Sequence, residues 1–245
     1  MIRERNFSKK TTLLFIFLMV FCFNIHAGEK FKGGFKGGIN LSSYISKNSI
    51  EHYWAVGSAG SSMSSSFTCG ALISYSFNKY LTLQTELLYS QKKCHVEYEN
   101  QVHGSGDYYF QCSKWDGFQE LVYFEFPFLI KSTLILFQKE ICKPYAGIYY
   151  STLLDKKYEY DFSYVAKNIE GEITDSYKRK IIGQLSDVKN NDVGIILGAE
   201  INLSKMFKPL FLDTRLSISL DKVNESTTPG SVKNLTLLCS IGMKF

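Results

Sequence analysis

Nine charged residues stand inside stretches that are otherwise apolar at every second position: Lys32, Lys36, Lys131, Arg215 and Lys244, against Glu86, Glu125, Glu200 and Asp213. Five cations facing four anions is close to balance. Isolated charges in such surroundings do one of two kinds of chemistry. They pair with one another in a narrow interior, where burial is costly unless each charge is matched and hydrogen-bonded, or they line a path for ions. The packed polar core is the favoured reading and a small gated channel the alternative.

Covalent chemistry has weaker support. A nucleophile needs a base within hydrogen-bond reach, and the histidines past the first 27 residues are His52, His95 and His103. A pair such as Ser105 with His103 is available wherever loops are rich in serine, so it carries little weight. The chain contains no G-x-S-x-G, H-E-x-x-H or C-x-x-C motif and no EF-hand ligand series. The glycines of "GGFKGGIN" have Ile39 where a phosphate loop needs lysine. No catalytic set, no metal site and no cofactor is expected, and a lipid-modifying enzyme is the remotest of the readings considered.

The elements that must position the nine charges are strands. Phe31, Phe35, Ile39 and Leu41 alternate with Lys32, Gly34, Lys36, Gly38 and Asn40, and the same period of two returns in seven later segments. These are 67–77, 81–90, 122–131, 145–151, 193–203, 212–220 and 235–245. In each, one face is apolar and the other is small and polar with an occasional charge. Connections alternate in length: 42–66, 93–118, 155–191 and 221–233 are long, whereas 78–80, 132–143 and 204–209 are short. Short periplasmic turns, long outer loops and an even strand number mark an outer-membrane barrel, and closure is the way a sheet satisfies its backbone in lipid. The expected fold is therefore all-β, an eight-stranded antiparallel up-and-down transmembrane barrel. If strands six and seven form a hairpin around 204–209, Glu200 is expected opposite Arg215 and Asn202 opposite Asp213.

Residues 1–27 have the composition of a signal peptide: Arg3, Arg5, Lys9 and Lys10, an apolar run, then Ala27. The barrel domain is then 28–245. Loss of the leader, which also carries Glu4, lowers the formal charge from +5 to +2, so no nucleic-acid partner is implied. Of the remaining cysteines, Cys94 and Cys112 bracket the second long loop and are candidates for a loop disulfide in an oxidising compartment. Two long loops are rich in aromatics, among them Tyr98, Trp115, Tyr158, Tyr160, Phe162 and Tyr177. Three origins are open for these: contact with an extracellular protein or glycan, an interfacial aromatic girdle, or strands that run beyond the bilayer.

The segments "GFKGGINLS", "LTLQTELLYSQK", "VYFEFPFLIK", "PYAGIYYSTLL" and "LDTRLSISL", in that order, resemble the PorT-like outer-membrane β-barrel family. The closing "LTLLCSIGMKF" is similar to the C-terminal signal read by the barrel-assembly machinery, with Leu237, Cys239, Ile241, Met243 and Phe245 at alternate positions. The resemblance implies a bacterial outer-membrane location, outer-membrane lipid as solvent and eight strands. It implies no single activity, and an accessory role in secretion belongs to only some members. The functional expectation is a non-enzymatic surface-binding or envelope-structural barrel.

Overall fold

A computed structural model describes residues 30–46, 57–103, 110–136, 139–168, 172–185, 188–203, 209–223 and 232–245. The expected leader, His52 and Ser105 lie outside these residues. The strands are β1 (Phe31–Ser46), β2 (Gly57–Ser76), β3 (Leu81–His103), β4 (Phe110–Ser132), β5 (Leu134–Leu136), β6 (Lys139–Lys167), β7 (Ile173–Gln184), β8 (Asn191–Asn202), β9 (Leu210–Ser219) and β10 (Val232–Lys244).

Eight of the ten close a ring. β1 to β4 pair in sequence, β4 pairs β6, and β6, β8, β9 and β10 follow in order until β10 pairs β1. β5 is a three-residue partner to the start of β6, and β7 pairs only the outer half of β6 among the described residues. The eight-stranded expectation thus holds for the ring, all of it antiparallel. No helix among the described residues is long and apolar enough to cross a membrane; the strands do the crossing.

The two faces separate as the alternation requires. Phe31, Ile39, Phe67, Phe128, Ile148 and Ile241 are exposed on the outside, while Lys36, Leu72, Glu86, Leu88, Lys131 and Arg215 are buried inside. Several lumen glycines make room for large rings. A methyl group on Gly194 would sit 2.3 Å from the Tyr149 ring, one on Gly198 2.5 Å from Tyr145, and one on Gly242 2.3 Å from Phe211. Small residues on one strand are therefore the sockets for aromatics on the next.

Two expectations need correction. The long segments 93–118 and 155–191 are not loops through most of their length: β3 and β4 run to His103 and from Phe110, and β6 runs to Lys167. Cross-strand pairing with aromatic and β-branched neighbours carries the sheet past the bilayer, where composition alone suggested irregular chain. The β8–β9 register is also displaced by two residues, with Glu200 opposite Asp213, Asn202 opposite Phe211 and Gly198 opposite Arg215. Two carboxylates can face each other there because each is neutralised by a different pair of cations.

Candidate functional site

The lumen is filled in layers. At its centre lies a four-charge cluster. Lys36 Nζ is 2.7 Å from Asp213 Oδ2 and 2.8 Å from Glu86 Oε2, and Arg215 reaches Glu86 at 2.9 Å and Asp213 at 2.8 Å. Tyr145 donates its hydroxyl to Asp213 Oδ1, and Gln84 donates to Glu86 Oε1 at 2.5 Å. The four charged side chains come from β1, β3 and β9, so the cluster ties strands that are far apart in sequence.

Toward the periplasmic end, Glu200 holds two lysines, one on each oxygen: Lys131 at 2.6 Å and Lys244 at 2.5 Å. Toward the outer end, Lys92 lies 2.8 Å from Glu125 and 3.6 Å from Asp192, with its ammonium over the rings of Tyr123 and Tyr149. Asp192 Oδ2 accepts from Tyr149, Ser219 and Asn234 at 3.1, 2.9 and 3.0 Å. Between the charged layers sits an apolar cluster of Leu129, Tyr145, Tyr149 and Ile196.

The nine charges named from the sequence are thus not one network. Lys36, Glu86, Asp213 and Arg215 meet; Lys131, Lys244 and Glu200 meet; Glu125 joins neither. Lys32 is exposed at the periplasmic mouth rather than paired with Glu86 or Glu125. Lys92 and Asp192 were missed because both stood at the edge of segments read as loops. Continuing the even-numbered lumen face of β3 by one more residue, from Ser90, would have found Lys92. With these two in place of Lys32, the ion-paired side chains named here are five cations and five anions.

The outer mouth is closed by chain as well as by side chains. β7 and β8 lie on the same side of β6, and Leu185 and Val188, between them in sequence, join an inward cluster. Val188 and Val223 pack on Leu121 and Tyr123, with Leu153 and Leu185 against them. The backbone of this excursion is tied down: Lys189 donates to Val223 at 2.8 Å, and Leu153 donates to Asn190 at 2.7 Å.

Above that plug, β3, β4, β6 and β7 continue as a raised sheet. Tyr98, Trp115, Phe162 and Arg179 are direct cross-strand neighbours in one row. By register they stand on the face that continues the lumen, so these aromatics are not a lipid-facing girdle. Trp115 lies 4.5 Å from Phe162 and 6.1 Å from Tyr160 between ring centroids, and Phe162 lies 5.6 Å from Tyr177. The opposite face is charged. Lys180 pairs with Glu159 at 2.5 Å, which holds the Glu159 carboxyl below its ordinary value and the Lys180 ammonium above it. Lys114 pairs with Glu97, and His95 Nε2 is 2.6 Å from Asp116.

The candidate Cys94–Cys112 bridge is not formed. Cys94 is opposite Gln119 and Cys112 opposite Gln101, seven rungs apart, or about 23 Å along the strands. A disulfide needs Cα atoms within about 7 Å. Neither is in a disulfide, and each thiol donates elsewhere, Cys94 to the Ser62 carbonyl and Cys112 to Glu99. Among the described residues no group of His, Cys, Asp and Glu is arranged to hold a metal ion.

A closed ring, an apolar belt and a polar, ion-paired interior are the physical requirements of a barrel in lipid. The sequence profile of the outer membrane protein beta-barrel domain matches residues 24–225. The chain belongs to that family. It is a bacterial outer-membrane barrel. Among solved structures it is similar to Neisserial surface protein A, at 14% identity and a TM-score of 0.40, over 87% of this chain and 97% of that one. The attachment invasion locus protein Ail of Yersinia pestis is similar at 10% identity and 0.36, over 88% and 99%. OprG of Pseudomonas aeruginosa is similar at 10% and 0.39, over 87% and 95%. No curated protein sequence matches the chain.

Proposed function

We propose that this barrel is a non-enzymatic surface-binding protein whose lumen is closed and whose working part is the sheet raised above the outer mouth. The observation that carries the reading is the division of labour along the axis. Below, matched charges and apolar layers fill the ring; above, Trp115, Tyr160, Phe162 and Tyr177 are presented on rigid strands rather than on loops. Aromatic rings at a water-exposed site provide large contact area at low entropic cost, and the partner they suit is an extracellular protein or glycan. The channel reading is disfavoured by the ion pairs and by the Val188–Val223 plug. The narrower PorT-like placement, rested on the five segments quoted above, belongs to the same proposal. So does recognition of Leu237, Cys239, Ile241, Met243 and Phe245 by the assembly machinery.

The test is a binding screen of the refolded full chain against extracellular matrix proteins and a glycan array, repeated with Trp115→Ala and Phe162→Ala. Binding that these variants weaken while the barrel stays folded supports the reading. Binding indifferent to both variants, or steady single-channel currents from the wild type, would overturn it.

A further inference from the structure

The charge balance of the buried lumen does not hold at every level of the axis. The central cluster sets two cations against two anions, and the outer layer sets Lys92 against Glu125 and Asp192. The periplasmic mouth is different. It opens into a cavity of about 330 Å³ lined by four lysines, Lys32, Lys131, Lys143 and Lys244, and by one carboxylate, Glu200. Both oxygens of that carboxylate are taken, by Lys131 at 2.6 Å and Lys244 at 2.5 Å. Among the described residues that line it, four ammonium groups therefore stand against one carboxylate. The rest of the lining is rich in donors, including Ser76, Thr82 and Asn202. Lys131 is almost fully buried, with its ammonium 4.6 Å from the Tyr145 ring centroid. The site is therefore built into the wall rather than spread over a surface.

We propose that this vestibule is an anion site that holds a phosphate group at the periplasmic mouth. Ammonium groups and hydroxyls converging on one cavity in a low-dielectric wall are the complement of a compact oxyanion. The phosphate has two sources of the same chemistry: a small periplasmic solute, or the headgroup of a phospholipid in the inner leaflet around the rim. The inference does not depend on the raised sheet, which lies at the opposite end of the barrel.

The experiment is an NMR titration of the isotope-labelled full chain in a phosphate-free glycoside detergent, with inorganic phosphate as the probe. Saturable amide shifts are expected at Lys32, Ser74, Ser76, Thr82 and Lys244. The double variant Lys32→Gln/Lys143→Gln keeps the Lys131–Glu200–Lys244 contacts and is expected to weaken binding about tenfold, the scale of two ammonium groups a few ångströms from the anion. In a second arm, nanodiscs containing phosphatidylglycerol without added phosphate identify the headgroup as the source if the same amides move. Failure to saturate in both arms overturns the proposal. So does an equal loss in Lys178→Gln/Lys180→Gln, which removes two cations from the far end.

Discussion

Arg215→Met is the sharpest perturbation the lumen offers. The wild-type guanidinium contacts Glu86 at 2.9 and 3.0 Å and Asp213 at 2.8 Å, and its side chain is 3% exposed. Methionine keeps much of the volume but leaves two buried carboxylates to share Lys36. Removing one partner of a buried pair costs about 3–5 kcal/mol, because the remaining charge is desolvated without compensation. Glu86→Gln alone leaves the opposite imbalance, two cations on Asp213. The double variant Arg215→Met/Glu86→Gln leaves Lys36 facing Asp213, a neutral pair still 2.7 Å apart in the wild-type geometry. Its cost is therefore expected to fall short of the sum of the single costs by at least about 1 kcal/mol. The assay is urea unfolding in lipid vesicles, with the folded fraction read from heat-dependent gel mobility. A double variant whose loss equals the sum of the singles would refute the claim that these charges neutralise one another. A loss under about 1 kcal/mol for Arg215→Met would refute it as well.

Four further outcomes are expected from the same architecture. In planar bilayers the wild type gives no steady current, and neither does Arg215→Met, because the Leu129–Ile196 layer and the Val188–Val223 plug remain; step conductance in the wild type contradicts the layered lumen. Gly194→Ala drives a methyl group into the Tyr149 ring and is expected to lower stability by about 1–3 kcal/mol, measured by the same unfolding assay; a neutral result would show that the ring can move. Cys112 in the folded protein, and Cys94 once the chain is unfolded, are alkylated without prior reduction, read by mass spectrometry. Burial and the neighbouring Glu99 raise the Cys112 thiol above its ordinary value, so it reacts more slowly at pH 8 than an unperturbed cysteine; a 94–112 bridge in the mass spectrum contradicts the register. Glu159 is depressed below its ordinary 4.5 by Lys180, so its contribution to β6–β7 pairing is present above that value and is lost as pH falls through the lowered one. Amide exchange of β7 is expected to accelerate only below about pH 4, and acceleration already at pH 6 would assign the effect to another group.

Period-two alternation was enough to read the ring, because each crossing strand meets lipid on one side and a narrow lumen on the other. The faces of Phe31, Ile39, Leu72 and Glu86 follow from parity alone. Parity says nothing of register, and a shift of two residues preserves every face. That is why Glu200 was expected opposite Arg215 and lies opposite Asp213. Outside the bilayer the alternation persists, but both faces meet water, so the contrast that marks a strand disappears. Segment 93–103 sets Lys93, His95, Glu97 and Glu99 against Cys94, Val96, Tyr98 and Val102, a weaker contrast than in the crossing strands, and still forms strand, since β4 pairs it rung by rung. Missing that extension also hid Lys92 and made Cys94 and Cys112 look like neighbours.

The same loss of contrast explains why the two ends of the barrel were legible to different degrees. At the periplasmic end, turns are short, strand ends are pinned, and most residues of the anion vestibule, Lys32, Lys131, Glu200 and Lys244 among them, fall on positions that alternation assigns to the lumen; Lys143 falls in the 132–143 connection. What the sequence could not show is that Lys32 and Lys143 gather beside Lys131 and Lys244. That gathering depends on the closure of β1 onto β10 and on the pairing of β6 with β8, both set by long-range register. At the outer end, the inward excursion lies between β7 and β8, outside any crossing strand, where alternation carries no signal. Val188 reads as ordinary loop valine until Val223, from a different loop, is placed beside it. A plug assembled from two connections leaves no periodic trace in either. The lumen was thus readable wherever one strand carried the information, and unreadable wherever closure of the ring created it.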